Sequence, residues 1–147
     1  MSTFSIKKFP IWSVEVDDVA GATTGLFKVL ADAGADIQFA LGRPKSDKGG
    51  DAILFLAPIK GKEQEAAARE ADIRPRPDVV GVQVQGPNRV GGNFKLTAAI
   101  AHANLTVRAL VTTVDGDRFT AVFAFNSEKD ADEAVKVLNK VVDAVAA

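Results

Sequence analysis

Ile11 to Val16 alternate, with Trp12, Val14 and Val16 on one side and Ser13 and Glu15 on the other, the period-two signature of a half-buried strand. Before them, Phe4 to Phe9 reads as a separate short strand ending at Pro10. Asp17 to Gly25 is rich in Asp, Gly and Thr and reads as a loop; Leu26, Phe27, Leu30 and Ala33 then recur at helical spacing, and Gly34 supplies a stop. Asp36 to Leu41 is expected to be a strand, Gly42 to Asp51 a polar connection, and Ala52 to Ala57 a strand apolar on both faces. Its second face, Leu54 and Leu56 by the alternation, is expected to be covered by a second copy of the molecule. An alanine-rich helix, Gly61 to Ala71, completes the first half.

Ile73 to Asp78 carries alternate prolines, which cannot donate to a ladder, and reads as a linker or an edge strand. The second half predicts a strand over Val79 to Gln85, a loop over Gly86 to Asn93 and a helix over Phe94 to Ala103. Leu105 to Thr113 and Arg118 to Phe125 form a hairpin around the turn dipeptide Asp115-Gly116. Ser127 with Asp130 reads as a capping box for a last helix whose Ala131, Ala134, Val135, Leu138, Val141, Val142 and Val145 make an apolar stripe.

Sliding the chain by seventy residues sets Val14 on Val84, Gly21 on Gly91, Leu26 on Leu96, Ala31 on Ala101 and Ala33 on Ala103 without a gap. The chain is therefore read as two copies of one unit, residues 1–72 and 73–147. Each runs strand, helix, strand, strand, helix, one strand short of a ferredoxin-like sandwich. The missing edge strand is expected either before the first core strand of each copy or exchanged between copies.

Composition narrows the function. With 18 basic residues against 19 acidic and no stretch of one sign, phosphate neutralisation is not a source of affinity, which argues against nucleic acid. No cysteine is present, so disulfides, thiolate metal sites and cysteine nucleophiles are excluded together. No run reaches the roughly eighteen apolar residues of a membrane span, and no apolar segment follows Lys7 and Lys8, so no signal peptide is expected and the location is taken as cytoplasmic.

Asp18-Val19-Ala20-Gly21, before a Leu-Phe-x-x-Leu helix that closes in Ala33-Gly34-Ala35-Asp36-Ile37, resembles the start of an ACT domain, whose pattern is Asp-x-Pro-Gly, an apolar helix, then Gly-Ile-Asn-Ile. Asn88-Arg89-Val90-Gly91 before Leu96 to Ile100 is similar to the same motif. The resemblance covers nearly the whole chain and implies an α+β fold of two ferredoxin-like (βαββαβ) repeats side by side, with helices on one face of antiparallel sheets. It also implies an amino acid held at the inter-repeat loops. By position the ligand-binding residues are Asp18, Val19, Ala20 and Gly21, then Asn88, Arg89, Val90 and Gly91, with Ile37, Gln38, Val107 and Arg108 from the start of the neighbouring copy's second strand. The chain departs from the pattern at Ala20 and Val90, where the family has proline, and at Asn88, where it has an acid.

The residues themselves lend this a physical basis. A glycine bend at a helix start exposes unpaired N–H groups and the positive end of the helix dipole, a seat for a carboxylate; Asp18 could take the ammonium group and Arg89 the carboxylate. The plainer reading is that Gly21 and Gly91 only turn the chain while Asp18 and Asn88 cap helices. His102 reads as a surface histidine, and Asp47, Asp51, Asp115 and Asp117 as turn residues in place of a metal site. No Gly-Lys-Ser/Thr follows either glycine loop, so a P-loop fails. The strand Arg118 to Phe125 loosely resembles the aromatic RNA-binding strand of an RRM, but core phenylalanines explain it better. The expectation is a non-catalytic, homo-oligomeric regulatory protein associating through its sheet faces, with no cofactor, no metal and no nucleic-acid or membrane partner. An RNA-binding module and a purely structural oligomerisation domain are the alternatives.

Overall fold

The computed structural model describes residues 4–17, 20–47 and 50–146. In chain order the elements are β1 (Ser5–Val16), α1 (Ala22–Asp32), β2 (Phe39–Pro44), β3 (Ala52–Ala57), α2 (Gly61–Glu70), β4 (Arg74–Pro87), α3 (Gly92–His102), β5 (Ala109–Asp115), β6 (Arg118–Phe125) and α4 (Glu128–Ala146). This is an α+β protein with antiparallel strands, divided into two compact units, Pro10–Arg76 and Met1–Phe9 with Pro77–Ala147.

In the unit Pro10–Arg76, β3 lies between β2 and β1, pairing Leu41 with Phe55 and Phe55 with Ser13. Trp12, Val14, Val16, Leu54 and Leu56 point to one side of this sheet and pack with Leu30 of α1, Ala68 of α2, Ile59 and Ile73. The expectation for β3 is corrected here: Leu54 and Leu56 are the face buried within the chain, and no second molecule is needed to cover them. The opposite face carries the half-buried Phe55, with the guanidinium groups of Arg43 and Arg76 5.9 and 5.8 Å from its ring centroid. Arginine stems shield an aromatic ring while their heads stay in water, which explains how a strand apolar on both sides is tolerated.

In the other unit, β6 lies between β4 and β5 in unbroken register, Val82 opposite Phe123 and Phe123 opposite Leu110. Val80, Val82, Val84, Phe119, Phe123 and Phe125 face Leu96 and Ile100 of α3 and Ala131, Ala134, Leu138, Val142 and Val145 of α4. The three phenylalanines are thus core, and β6 offers no exposed aromatic row to a base. Phe4 and Ile6 pack on the same cluster, and Lys8 donates to Glu128 and, at 2.7 Å, to Asp132 on α4. Hydrogen bonding to Asp132 and Glu128 raises the Lys8 pKa.

The missing edge strands are exchanged. The first residues of β1 sit beside β4, where the Phe9 ring covers Gly81 and the Phe4 ring covers Gly86, while Arg74 to Arg76, the first residues of β4, belong with Pro10 onwards. Contrary to expectation, the strand does not end at Pro10: β1 runs through it, and β4 runs through Pro75 and Pro77. The unit boundaries fall at Pro10 and Pro77, residues without an N–H to give to a ladder.

Local geometry recurs seventy residues on. Gly21 (φ 85°) and Gly91 (φ 84°) are both in the left-handed region that favours glycine, and each immediately precedes a helix. Because that bend turns the chain at once, α1 begins at Ala22 and α3 at Gly92, earlier than the expected Leu26 and Phe94. Both helices end alike. Ala35 N donates to Leu30 O with Gly34 at φ 82°, and Leu105 N donates to Ile100 O with Asn104 at φ 58°, the Schellman closure. The α4 cap forms as expected: Asp130 N donates to Ser127 Oγ at 3.1 Å. Ser127→Ala is therefore expected to destabilise the unit by about 1 kcal/mol, read as a lower urea midpoint with unchanged slope.

Candidate functional site

The two bends that open α1 and α3 differ from the other helix starts. Neither has a side-chain cap, and neither helix carries an acid in its first turn. By contrast, α2 has Glu63 there, and α4 has Ser127 as cap with Glu128 and Asp130 following. Among the described residues, the first-turn N–H groups and the positive end of the dipole thus meet neither a side-chain cap nor a first-turn acid at α1 and α3. This disposes of one plain reading: Asn88 does not cap α3, because the residue at the cap is Gly91 and no side chain bonds there.

The loop Asn88 to Gly91 is the better described. Asn88 N donates to Asp117 O at 2.7 Å, anchoring the loop to the β5–β6 turn, and Gly92 N donates to Arg89 O at 3.0 Å. Arg89 Nη1 donates to Asn88 O at 2.8 Å, and Lys95 Nζ reaches Ala144 O at 3.0 Å from the first turn of α3. Two cations therefore flank the helix start with no carboxylate in its first turn. Val90 and Phe94 are 102% and 75% exposed. Lys95 and Phe94 are additions to the residues expected from the sequence; both lie in the first turn or so of α3, which starts at Gly92.

In the first unit Asp18 and Val19 lie outside the described residues, while Ala20 and Gly21 are exposed at the start of α1. Ile37 is half-buried against the core, and Gln38 donates from its backbone to Ala57 O at 2.9 Å and from its side chain to Asp36 at 3.1 Å. Seventy residues on, Val107 is likewise half-buried, and Arg108 N donates to Ala124 O at 2.8 Å. The Arg108 guanidinium is engaged, 3.3 Å from Asp78 O and 3.4 Å from Asn126 Oδ1.

The structure does not bring each loop together with the strand start of its own unit. Asn88 follows Pro87, which pairs with Arg118, whereas Arg108 lies beside Ala124 at the other end of β6. Six residue steps of strand separate Arg118 from Ala124, about 20 Å at ~3.3 Å per residue. Likewise Gly21 follows Val16, opposite Ala52, while Gln38 is bonded to Ala57 at the far end of β3. His102 is exposed in the last turn of α3. Among the described residues no group of three or more metal-binding side chains gathers, and no helix is long and apolar enough to cross a membrane.

The architecture is an ACT-like α+β fold, shared with regulatory domains of aspartate kinases. A Bacteroides thetaiotaomicron protein superposes with a TM-score of 0.69 at 15% identity, over 95% of this chain and 90% of its own. The regulatory subunit of Thermus thermophilus aspartate kinase, in its ligand-free form, gives 0.63 at 15% identity over 93% and 95%. A structure of aspartokinase alpha and beta subunits gives 0.65 at 16% identity over 97% and 98%. At such identities the likeness establishes the fold and nothing finer. No protein-family model matches the chain, and no curated protein sequence matches it significantly.

Proposed function

We propose that this chain is a non-catalytic regulatory protein built from two repeats, 1–72 and 73–147, that binds a free amino acid or a similar small zwitterion at the glycine bends opening α1 and α3. The observation that carries the reading is electrostatic: among the described residues, α1 and α3 start without a side-chain cap or a first-turn acid, unlike α2 and α4. A carboxylate placed there accepts the free N–H groups and meets the helix dipole, a combination that suits small anions. Arg89 and Lys95 add charge at α3, and Val90 and Phe94 offer apolar surface to a ligand side chain. Asp18 and Val19 complete the first bend in this reading. Ile37, Gln38, Val107 and Arg108, distant from the bend of their own unit, contribute only to a ligand held by a different copy of the bend.

The recurrence of bend, helix closure and strand start at a seventy-residue spacing supports two equivalent repeats. That two structures of this fold are regulatory subunits of aspartate kinase supports a regulatory role. Ligand binding would couple to assembly to the extent that it favours one arrangement of the bends over another.

Calorimetric titration with the twenty amino acids tests the reading. One of them is expected to bind, and Arg89→Ala is expected to weaken it about tenfold, the loss of one charge-assisted contact of about 1.4 kcal/mol. Heat from none of the twenty would sink the proposal.

A further inference from the structure

We infer that Gln83 and Lys7 form a site for free hydrogenphosphate on the face of the sheet turned away from α3 and α4. Among the described residues Gln83 is the only buried polar side chain, 8% exposed, and its carboxamide has no hydrogen-bond partner there. An amide withdrawn from water without a partner weakens a fold, so a position that valine or threonine would fill without that penalty calls for a further role. Alternation along β4 places the group. Val82 and Val84 face the helices, so Gln83 points to the other side, opposite Val122 of β6. Two residues on, Gln85 donates to Thr120 Oγ1 at 3.4 Å, so that amide is engaged and the Gln83 amide is left over. No side-chain nitrogen or oxygen of the described residues is both fully enclosed and unpartnered, so the amide atoms of Gln83 keep a narrow opening to the outside. A small ligand suits it.

Charge comes from the first strand. Phe9 lies on Gly81 and Phe4 on Gly86, equal steps in opposite directions, and this antiparallel register brings Lys7 beside Gln83. Lys8 turns to the helix side, where it meets Glu128 and Asp132. Lys7 points the other way, is exposed, and forms no ion pair among the described residues. Two adjacent strands of one unit thus present an ammonium group, an amide N–H pair and an amide carbonyl. The carbonyl decides between anions. Lys7 Nζ and Gln83 Nε2 donate, which suits any oxoanion, but Gln83 Oε1 accepts and requires a ligand that also donates. Hydrogenphosphate carries a P–OH for it, whereas sulfate at neutral pH carries no proton. A phosphate monoester, with a second pKa of about 6, has lost most of its donor there. The buried Val122 lowers the local polarity and strengthens each of these bonds. The site does not rest on the amino-acid reading of the glycine bends.

Nitrogen–proton correlation spectra of the full chain follow the side-chain amide of Gln83 while inorganic phosphate is added at neutral pH and constant ionic strength, with no amino acid present. The amide pair is expected to shift saturably, with half-saturation at about millimolar phosphate or below. Sulfate and methyl phosphate are expected to bind at least about tenfold more weakly, for want of the donor. Backbone signals of Lys7 and Val122 report binding in the variants. Gln83→Leu is expected to abolish it, and Lys7→Gln to weaken it about tenfold. Leucine is close to glutamine in size and Lys7 is exposed, so both variants are expected to keep the wild-type dichroism; the comparison of anions needs neither. An unmoved Gln83 amide overturns the inference, as does equal affinity for phosphate and sulfate, which would leave only the charge of Lys7. Binding that survives in a folded Gln83→Leu variant overturns it equally.

Discussion

Phe123→Ala is expected to lower the unfolding free energy of its unit by about 3–5 kcal/mol, the usual range when a fully buried aromatic is truncated. Phe123 has no exposed surface, lies on β6 between β4 and β5, and faces the core formed by α3 and α4. Its ring is stacked on Phe125 at 6.4 Å, so truncation also removes an aromatic contact. The surrounding Leu96, Ile100 and Leu138 are themselves fully or almost fully buried on helices held at both ends, which leaves little freedom to collapse into the void. A small domain has only about 5–15 kcal/mol in total, so the variant should be partly unfolded near its working temperature. Phe94→Ala is the control: that ring is 75% exposed, and its loss should fall within about 0.5 kcal/mol. Urea unfolding followed by dichroism distinguishes them; an equal shift of both midpoints would mean that β6 does not face the helices as described.

How much of this was legible beforehand depended on whether a feature is local. Trp12, Val14 and Val16 alternate because one sheet face is buried, and the α4 stripe repeats at helical spacing because one helix face is; both patterns are written in adjacent residues and both were found in place. The glycine bends were legible for the same reason, but their consequence was not. A left-handed residue at Gly21 or Gly91 lets the helix begin at the next position, so Thr23, Thr24 and Asn93, read as loop, are helical.

Partners across the sheet are not local, and there the reading failed. Pro10 looked like the end of a strand because proline cannot give a ladder hydrogen bond, but a single missing donor is tolerated where the strand passes from one unit to the other. The alternation in Ala52 to Ala57 was clear while its direction was not: with apolar residues on both faces, only the positions of α1 and α2 decide that Leu54 and Leu56 point inward. For the candidate site the residue types at the bends were readable. That each bend lies at the opposite end of the sheet from its own strand start follows from the antiparallel pairing, which no short motif contains.

The exchange of edge strands can itself be tested, because it leaves two glycines covered by rings from far away in the sequence. A side chain begun at Gly81 would place its Cβ 2.5 Å from Phe9 Cζ and 2.7 Å from Cε2, closer than atoms approach without one of them moving. Gly81→Val is therefore expected to cost about 1–3 kcal/mol through overpacking, despite the better strand propensity of valine and its smaller loss of backbone freedom on folding. The cost should fall when the ring is removed. In a double-mutant cycle with Phe9→Ala, the coupling between the two positions is expected to be about 1–2 kcal/mol in favour of the double variant, with valine filling the space the ring vacates. Thermal or urea unfolding of the four proteins measures this. If the two changes prove additive, Phe9 does not rest on Gly81, and the start of β1 is not the strand that completes the unit containing β4, β5 and β6. Gly86 and Phe4 provide the same cycle on the other face of the strand, where a Cβ at Gly86 would meet the Phe4 ring.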